Sequence, residues 1–257
     1  MGLVQEHISE LSSMKKYPQN LSYEGNLELL KSPKISIVGT RKPCQYARAL
    51  TYQLASLLSK SGVCVVSGAA MGIDAIAHTG AGSSNTIAVL PCAIEIKYPN
   101  INKNLLSDIE KNGLLLSQFE AGFHATPWSF VLRNEIVVAL GDVLVVAEAE
   151  LGSGSMRSVE FALTMGKEIF VLPHRLGESS GTNSLLKEGK AKAIYDLEAF
   201  VSKFAVLELS QVKNDPFLEF CKTNPSYDAA LAKYPQRVFE AELGGEIKIE
   251  NAKVFLV

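Results

Sequence analysis

Ile35-Ser36-Ile37-Val38-Gly39-Thr40-Arg41-Lys42 is a short, mostly apolar run that empties into a glycine turn carrying two cations. The same grammar recurs at Val63-Cys64-Val65-Val66-Ser67-Gly68-Ala69-Ala70-Met71-Gly72. It recurs again at Val143-Leu144-Val145-Val146-Ala147, which leads to Gly152-Ser153-Gly154-Ser155. A buried strand that turns through small residues into a helix leaves backbone N–H groups unpaired and a partial positive charge at the helix start. The three turns therefore predict one phosphate cradle, with Arg41 and Lys42 adding full charges beside it.

Outward from these turns, short apolar runs recur every 23 to 29 residues: 35–38, 63–66, 86–90, 114–117, 143–147, 169–172 and, weakly, 193–195. They are continuous rather than alternating, as expected of strands covered on both faces. The stretches between them carry helical spacing, as in Tyr46, Leu50, Leu54, Leu57 and Leu58, or Val159, Leu163 and Met165. This alternation predicts an α/β fold with a doubly wound, mostly parallel sheet, and places ligands at the carboxyl ends of the strands, where the glycine turns fall.

Residues 1–33 hold the turn signals Tyr17-Pro18, Gly25-Asn26 and Ser32-Pro33 and read as a short leader with one helix around 4–14. The α/β pattern occupies 34–205. Residues 216–223 and 226–243 then offer amphipathic helical patterns broken at Pro225 and Pro235, followed by a hairpin with its turn at Glu250-Asn251. Helices followed by a two-stranded wing predict a small winged-helix-like domain over 216–257. Residues 206–257 carry 6 Lys and Arg against 8 Asp and Glu, which argues against docking in a DNA groove.

The 257 residues are 47% hydrophobic and 20% charged, as in a globular chain with an ample core. With no apolar run of membrane-spanning length and no signal pattern, a cytoplasmic protein is expected, without a membrane partner. Cys44, Cys64, Cys92 and Cys221 stand singly, with no histidine at ligand spacing, and are expected as buried free thiols; neither a metal nor a cofactor is expected. A net charge of −2 rules out coating nucleic acid by bulk charge, so any phosphate binding has to be local.

Gly39-Thr40-Arg41-Lys42 lacks the spacing of a dinucleotide fingerprint, which argues against a nicotinamide cofactor. Arg41 can fork onto a phosphate, whereas a merely solvated arginine would need no glycine beside it. Asp74 reads first as a cap of the helix that follows Gly72, and second as a carboxylate orienting a nearby arginine. His78, among Ala and Ile, reads as a satisfied, partly buried histidine rather than a base. Arg133-Asn134 sits on a helix with Phe130, Ile136, Val137 and Leu140, and reads equally as a polar pair at the loop mouths or as solvated surface. Trp128 and Phe130 lie near that arginine; the tryptophan, placed in a loop after Pro127, is the better stacking platform for a single strand.

Taken together the motifs resemble the DNA-processing protein A family, DprA, also called Smf. The resemblance begins at Tyr17-Pro18 and Glu24-Gly25-Asn26. It runs through Val38 to Arg41, Ser67 to Asp74, Ala77-His78, Ala88 to Pro91, Tyr98-Pro99, Leu116-Ser117, Arg133-Asn134, Ser153 to Ser155, Val171 to Pro173 and Gly181-Thr182-Asn183. It implies a Rossmann-like domain that binds single-stranded DNA, forms a homodimer and helps load RecA during natural transformation, with no catalytic function. It also implies phosphate contacts from Gly39, Thr40 and Arg41, from the backbone of Ser67, Gly68, Ala69, Met71 and Gly72, and from Ser153, Gly154 and Ser155. Arg133, Asn134 and Lys167 would lie near the rim. Two departures stand out: Met71 and Glu135 occupy positions where the family often has arginine. Either the affinity is lower, or Lys42, Lys97, Lys187 and Lys190 supply the charge.

Two other readings compete. A nucleoside-monophosphate phosphoribohydrolase would use a late glycine-rich loop followed by a glutamate, here Gly152 to Ser155 with Glu160. A pure interaction scaffold would leave Arg41 dispensable.

Overall fold

The computed structural model describes residues 2–205, 216–243, 247–250 and 252–256. The chain divides into two compact units, 1–206 and 207–257. The first holds a nine-stranded sheet ordered β1-β2-β6-β5-β4-β3-β7-β8-β9.

All seven apolar runs of the repeat form parallel strands: β3 (Lys34–Val38), β4 (Cys64–Ser67), β5 (Thr86–Val89), β6 (Leu114–Ser117), β7 (Val143–Val146), β8 (Ile169–Val171) and β9 (Lys192–Ala193). Strands β3 to β8 are buried along their whole length, the reason their sequences are apolar without alternation. Alternate residues serve opposite faces. Val66, Ile87, Val89, Leu144 and Val146 pack with α4 (Pro127–Leu140), α5 (Gly154–Thr164) and α6 (Ser180–Lys187). Ile35, Ile37, Val65, Val143 and Val145 pack with α1 (Gln45–Lys60), α2 (Ile73–Ala81) and α7 (Leu197–Val201). On the α1 face, Ala88, Leu90 and Leu115 meet Leu106 and Ile109 of α3 (Lys103–Asn112).

The first 33 residues differ from the expected leader. Strand β2 (Ser22–Gly25) adds antiparallel to β6, β1 (Gly2–Leu3) adds to β2, and in place of a helix over 4–14 there is a single 3-10 turn at Ser9–Ser13. Ile8, Leu11, Leu21 and Leu29 are buried in the core cluster on the α4 face, so the segment closes the sheet rather than preceding it. Sequence periodicity missed it because strands of two and four residues and a one-turn helix are too short to show a period.

Cys64, Cys92 and Cys221 are buried thiols outside any disulfide, as expected, but Cys44 is exposed, where its sulfur accepts from Ala47 N at the start of α1. Among the described residues no helix is long and apolar enough to cross a membrane. The second unit holds α8 (Pro216–Cys221), α9 (Tyr227–Lys233), α10 (Pro235–Leu243) and a hairpin of β10 (Ile247–Glu250) with β11 (Lys253–Leu256), around Phe217, Cys221, Ala230, Val238 and Val254. The expected boundary at 206–215 and the hairpin residues Glu246, Asn251 and Val257 lie outside the described residues.

His78 of α2 is fully buried, deeper than expected. Thr86 Oγ1 donates to Val65 O at 2.7 Å, so His78 Nδ1 is the donor in its 2.7 Å bond to Thr86 Oγ1, and Nε2 has no partner. Burial, reinforced by the charge of Arg133, pushes the imidazole down to about 3. The unfolded chain then takes up this proton near pH 6.5 and the folded chain does not. The histidine's contribution is complete above pH 6.5 and shrinks as pH falls toward 3. Between pH 7 and pH 5 the loss is about 2 kcal/mol. Urea unfolding at the two pH values should show this component in the native chain and not in His78→Gln; equal pH slopes would refute it.

Candidate functional site

Strand order reverses between β3 and β7, so the chain leaving β3 turns toward one face and the chain leaving β7 toward the other. Crevices form at such switch points. Here a cleft of about 580 Å³ opens at that place. Three loops meet around it and are bonded backbone to backbone. Thr40 N donates to Glu148 O at 2.8 Å, tying the loop after β3 to the loop after β7, and Ile73 N donates to Thr40 O at 3.1 Å, tying in the loop after β4. Gly72, with φ of +80°, makes this possible, because a Cβ there would stand 2.4 Å from Thr40 O.

Of the residues expected at the site, Gly39, Thr40, Arg41, Phe130, Arg133, Asn134, Ser153, Gly154 and Ser155 line this one cleft. Helix α5 begins at Gly154 after Ser153, which makes no side-chain cap; Met156 N is taken by Ser153 O at 3.1 Å, and the amides of Gly154 and Ser155, both lining the cleft, are left as donors without an intrahelical partner. The hydroxyls of Ser153 and Ser158 are buried there without a partner. Arg41 is exposed, and its guanidinium lies over the Phe130 ring, 5.1 Å from the centroid.

Arg133 is not a rim residue. It is buried, 5.9 Å from the same Phe130 centroid, with Nη1 3.4 Å from Val89 O and 3.7 Å from Asp74 Oδ2. Gly68 creates its berth, since a Cβ there would fall 1.3 Å from Nη1. Asp74 also departs from its first reading: Gly72 is the N-cap of α2, and the Asp74 carboxylate instead accepts from Ala70 N at 3.4 Å and faces Arg133. Burial raises the Asp74 carboxyl above its ordinary range against the pull of Arg133, and burial lowers the guanidinium against the pull of Asp74. The arginine keeps its charge throughout.

Other expected residues lie elsewhere. Lys42, Ser67, Gly68, Ala69, Met71, Gly72, Trp128 and Lys167 do not line the cleft. Ser67 is buried and donates to Ile37 O at 2.7 Å. Trp128 belongs to the first turn of α4, not to a loop, because Pro127 starts that helix after the Thr126 cap; its ring meets Phe119 and Phe123 edge-on. Lys167 Nζ donates to Ala139 O and Gly141 O at the end of α4, which places it at the amino ends of the strands. Of the substitute lysines, Lys97 is held by Glu110 at 2.6 Å and Lys190 by Glu188 at 2.6 Å. The cleft also contains Arg157, which the sequence reading did not single out. It follows Ser155 by two and pairs at 2.7 Å with Glu160 on the exposed face of α5. Glu160 itself does not line the cleft, and among the described residues no group of acidic, His or Cys side chains could hold a metal.

Removing Asp74 leaves Arg133 a buried charge without a carboxylate. Asp74→Ala is expected to lower the unfolding free energy by about 3–5 kcal/mol, and the double variant with Arg133→Leu to lose less than the two single losses combined. Urea titration measures both; a single loss under about 1 kcal/mol would show that this pair does not hold the cleft floor.

Comparison with known proteins fits this geometry. Residues 4–205 match the family model described as DNA recombination-mediator protein A. The DNA processing protein DprA of Streptococcus pneumoniae is 34% identical over 199 residues, covering 76% of this chain and 70% of that protein. Protein Smf of Synechocystis is 32% identical over 78% of this chain, which spans only 52% of the Smf length. Two solved structures are similar: DNA processing protein A from Helicobacter pylori, described for its single-stranded DNA binding mode, and DprA from S. pneumoniae. The first has a TM-score of 0.77 and 39% identity, over 79% of this chain and 94% of that one. The second has a TM-score of 0.72 and 33% identity, over 78% of this chain and 72% of that one. By sequence along most of its first unit, and by a Rossmann-like sheet shared with solved relatives, this chain belongs to the DNA recombination-mediator protein A family, DprA/Smf.

Proposed function

We propose that the switch-point cleft grips the sugar-phosphate backbone of single-stranded DNA, and that the protein protects incoming strands and passes them to a RecA recombinase during natural transformation. One observation carries the reading: the start of α5, Arg41 and Arg133 converge on one cleft around the half-buried ring of Phe130. The helix start and Arg41 supply donors and charge for a phosphate. Phe130, edge-on to Tyr98 at 5.9 Å, supplies a face for an unpaired base. A duplex keeps its bases stacked inside and offers that ring nothing. The family membership and the single-stranded DNA bound by the H. pylori relative support the same reading.

In this reading Gly39, Thr40, Arg41, Ser153, Gly154 and Ser155 hold phosphate, Asn134 lies at the mouth, and Arg133 acts from below as a fixed positive floor. The loop around Gly68 to Gly72 shapes the cleft through its backbone. Trp128 extends the aromatic surface beyond Phe130. Because the chain is near neutral overall, one cleft of this size holds a strand weakly, and a homodimer presenting two clefts to one strand raises the effective concentration. The second unit, with three helices followed by a hairpin, supports a winged-helix-like reading, and its acidic balance directs it toward a protein partner rather than a DNA groove.

Fluorescence anisotropy should give tighter binding for labelled oligo-dT than for duplex of the same length, with affinity falling as salt rises. Arg41→Ala should lose about 1.5–3 kcal/mol and Phe130→Ala about 1–3 kcal/mol. An Arg41→Ala curve superimposable on that of the native chain would refute the cleft assignment.

A further inference from the structure

The first turn of α6 contains Gly181-Thr182-Asn183, a motif that neither lines the cleft nor enters the reading above. Ser179, just before it, is buried and adopts a left-handed backbone, with φ of 47° and ψ of 59°, that a serine takes only at some cost. What holds it there is the loop after β7. Ala149 N donates to Ser179 Oγ at 2.9 Å, Ser179 Oγ donates back to Ala149 O at 3.2 Å, and Gly181 N donates to the same carbonyl at 2.8 Å. Leu151 N donates to Ser180 Oγ at 3.0 Å, while Ser180 N, at 3.1 Å, and its hydroxyl both donate to the Glu150 carboxylate. On the other side Asn183 Nδ2 fastens the turn by donating to Arg175 O at 3.0 Å and Glu178 O at 2.7 Å.

Residues 149–151 are thus gripped along three consecutive positions, immediately before Ser153, Gly154 and Ser155. The residue just before them, Glu148, is held from the loop after β3: Thr40 N donates to its carbonyl and Cys44 N to its Oε2, each at 2.8 Å. We infer that Ser179 and Ser180 are positioning residues for the phosphate-holding turn: without touching the strand, their hydroxyls set the direction in which the first N–H groups of α5 point. The inference rests on the cleft being the DNA site. An N–H group aimed away from the phosphate loses most of its bond, because hydrogen bonds weaken steeply with angle.

The test uses the full chain carrying Ser179→Gly, Ser179→Ala, Ser180→Ala or, in parallel, Arg41→Ala. Ser179→Gly relieves the left-handed strain while deleting the hydroxyl, so its melting temperature should stay at or above that of Ser179→Ala. Both Ser179 variants and Ser180→Ala should nonetheless bind labelled oligo-dT five- to twentyfold more weakly, with an unchanged slope of affinity against salt, because no cation is lost. Arg41→Ala should reduce that slope by about one. Hydrogen exchange over 149–155 should quicken in Ser179→Gly. Native affinity in Ser179→Gly, an altered salt slope, or unchanged exchange over 149–155 would each overturn the positioning role. If Arg41→Ala binds normally as well, it is the cleft assignment that falls; if only Arg41→Ala is impaired, that assignment stands and the positioning role alone is lost.

Discussion

Two backbone hydrogen bonds, Thr40 N to Glu148 O and Ile73 N to Thr40 O, join loops that are far apart in sequence into a single rim. Without them the loops leaving the paired strands β3 and β7 would part at the switch point, and the start of α5 would have no fixed relation to Arg41. Bonds of this kind require small residues at the crossings, because one chain must pass within contact distance of another. That requirement explains Gly39, where a Cβ would stand 2.6 Å from the Ile73 side chain and 3.0 Å from Glu148 O, and Gly72, where it would stand 2.4 Å from Thr40 O.

Charge in this protein is local and prepared in advance. The chain is slightly acidic as a whole, yet one guanidinium is kept in the interior beside a single carboxylate, and a second is held over an aromatic ring. Burying Arg133 costs solvation that Asp74 and the Val89 carbonyl offset only in part, as the opposing pulls on both groups show. The gain is a field that salt screens poorly, directed at a cleft whose other donors include backbone amides, serine hydroxyls, Asn134 and Arg157. On the proposed reading, such an arrangement suits the common features of a nucleic-acid strand rather than its sequence.

The strand runs, their parallel pairing, the order of helices and the convergence of the first and third glycine turns were legible from residues 34–205 alone, because continuous apolar runs at a steady repeat admit few arrangements. The burial of Arg133 was not, and a carboxylate facing an arginine was only the second reading of Asp74. An arginine between Leu132 and Asn134 on a helix looks the same whether it faces water or a berth emptied by Gly68, 65 positions earlier. Lys167 and Trp128 failed for a related reason: a lysine after a helix reads as exposed, and nothing local shows two carbonyls waiting at the end of α4. Arg157 was overlooked because it sits one turn into α5, past the motif that drew attention.

Glu135 has a consequence for the amino-terminal segment. Its carboxylate receives Lys15 N at 3.0 Å, just after the Ser9–Ser13 turn and 120 residues earlier in the chain. What reads in one dimension as a forfeited cation is thus a tether for the segment that carries the first strands. An arginine at this position would turn that acceptor into a donor and leave the Lys15 amide to water, so the charge of one helical residue and the seating of the chain ahead of the sheet are linked.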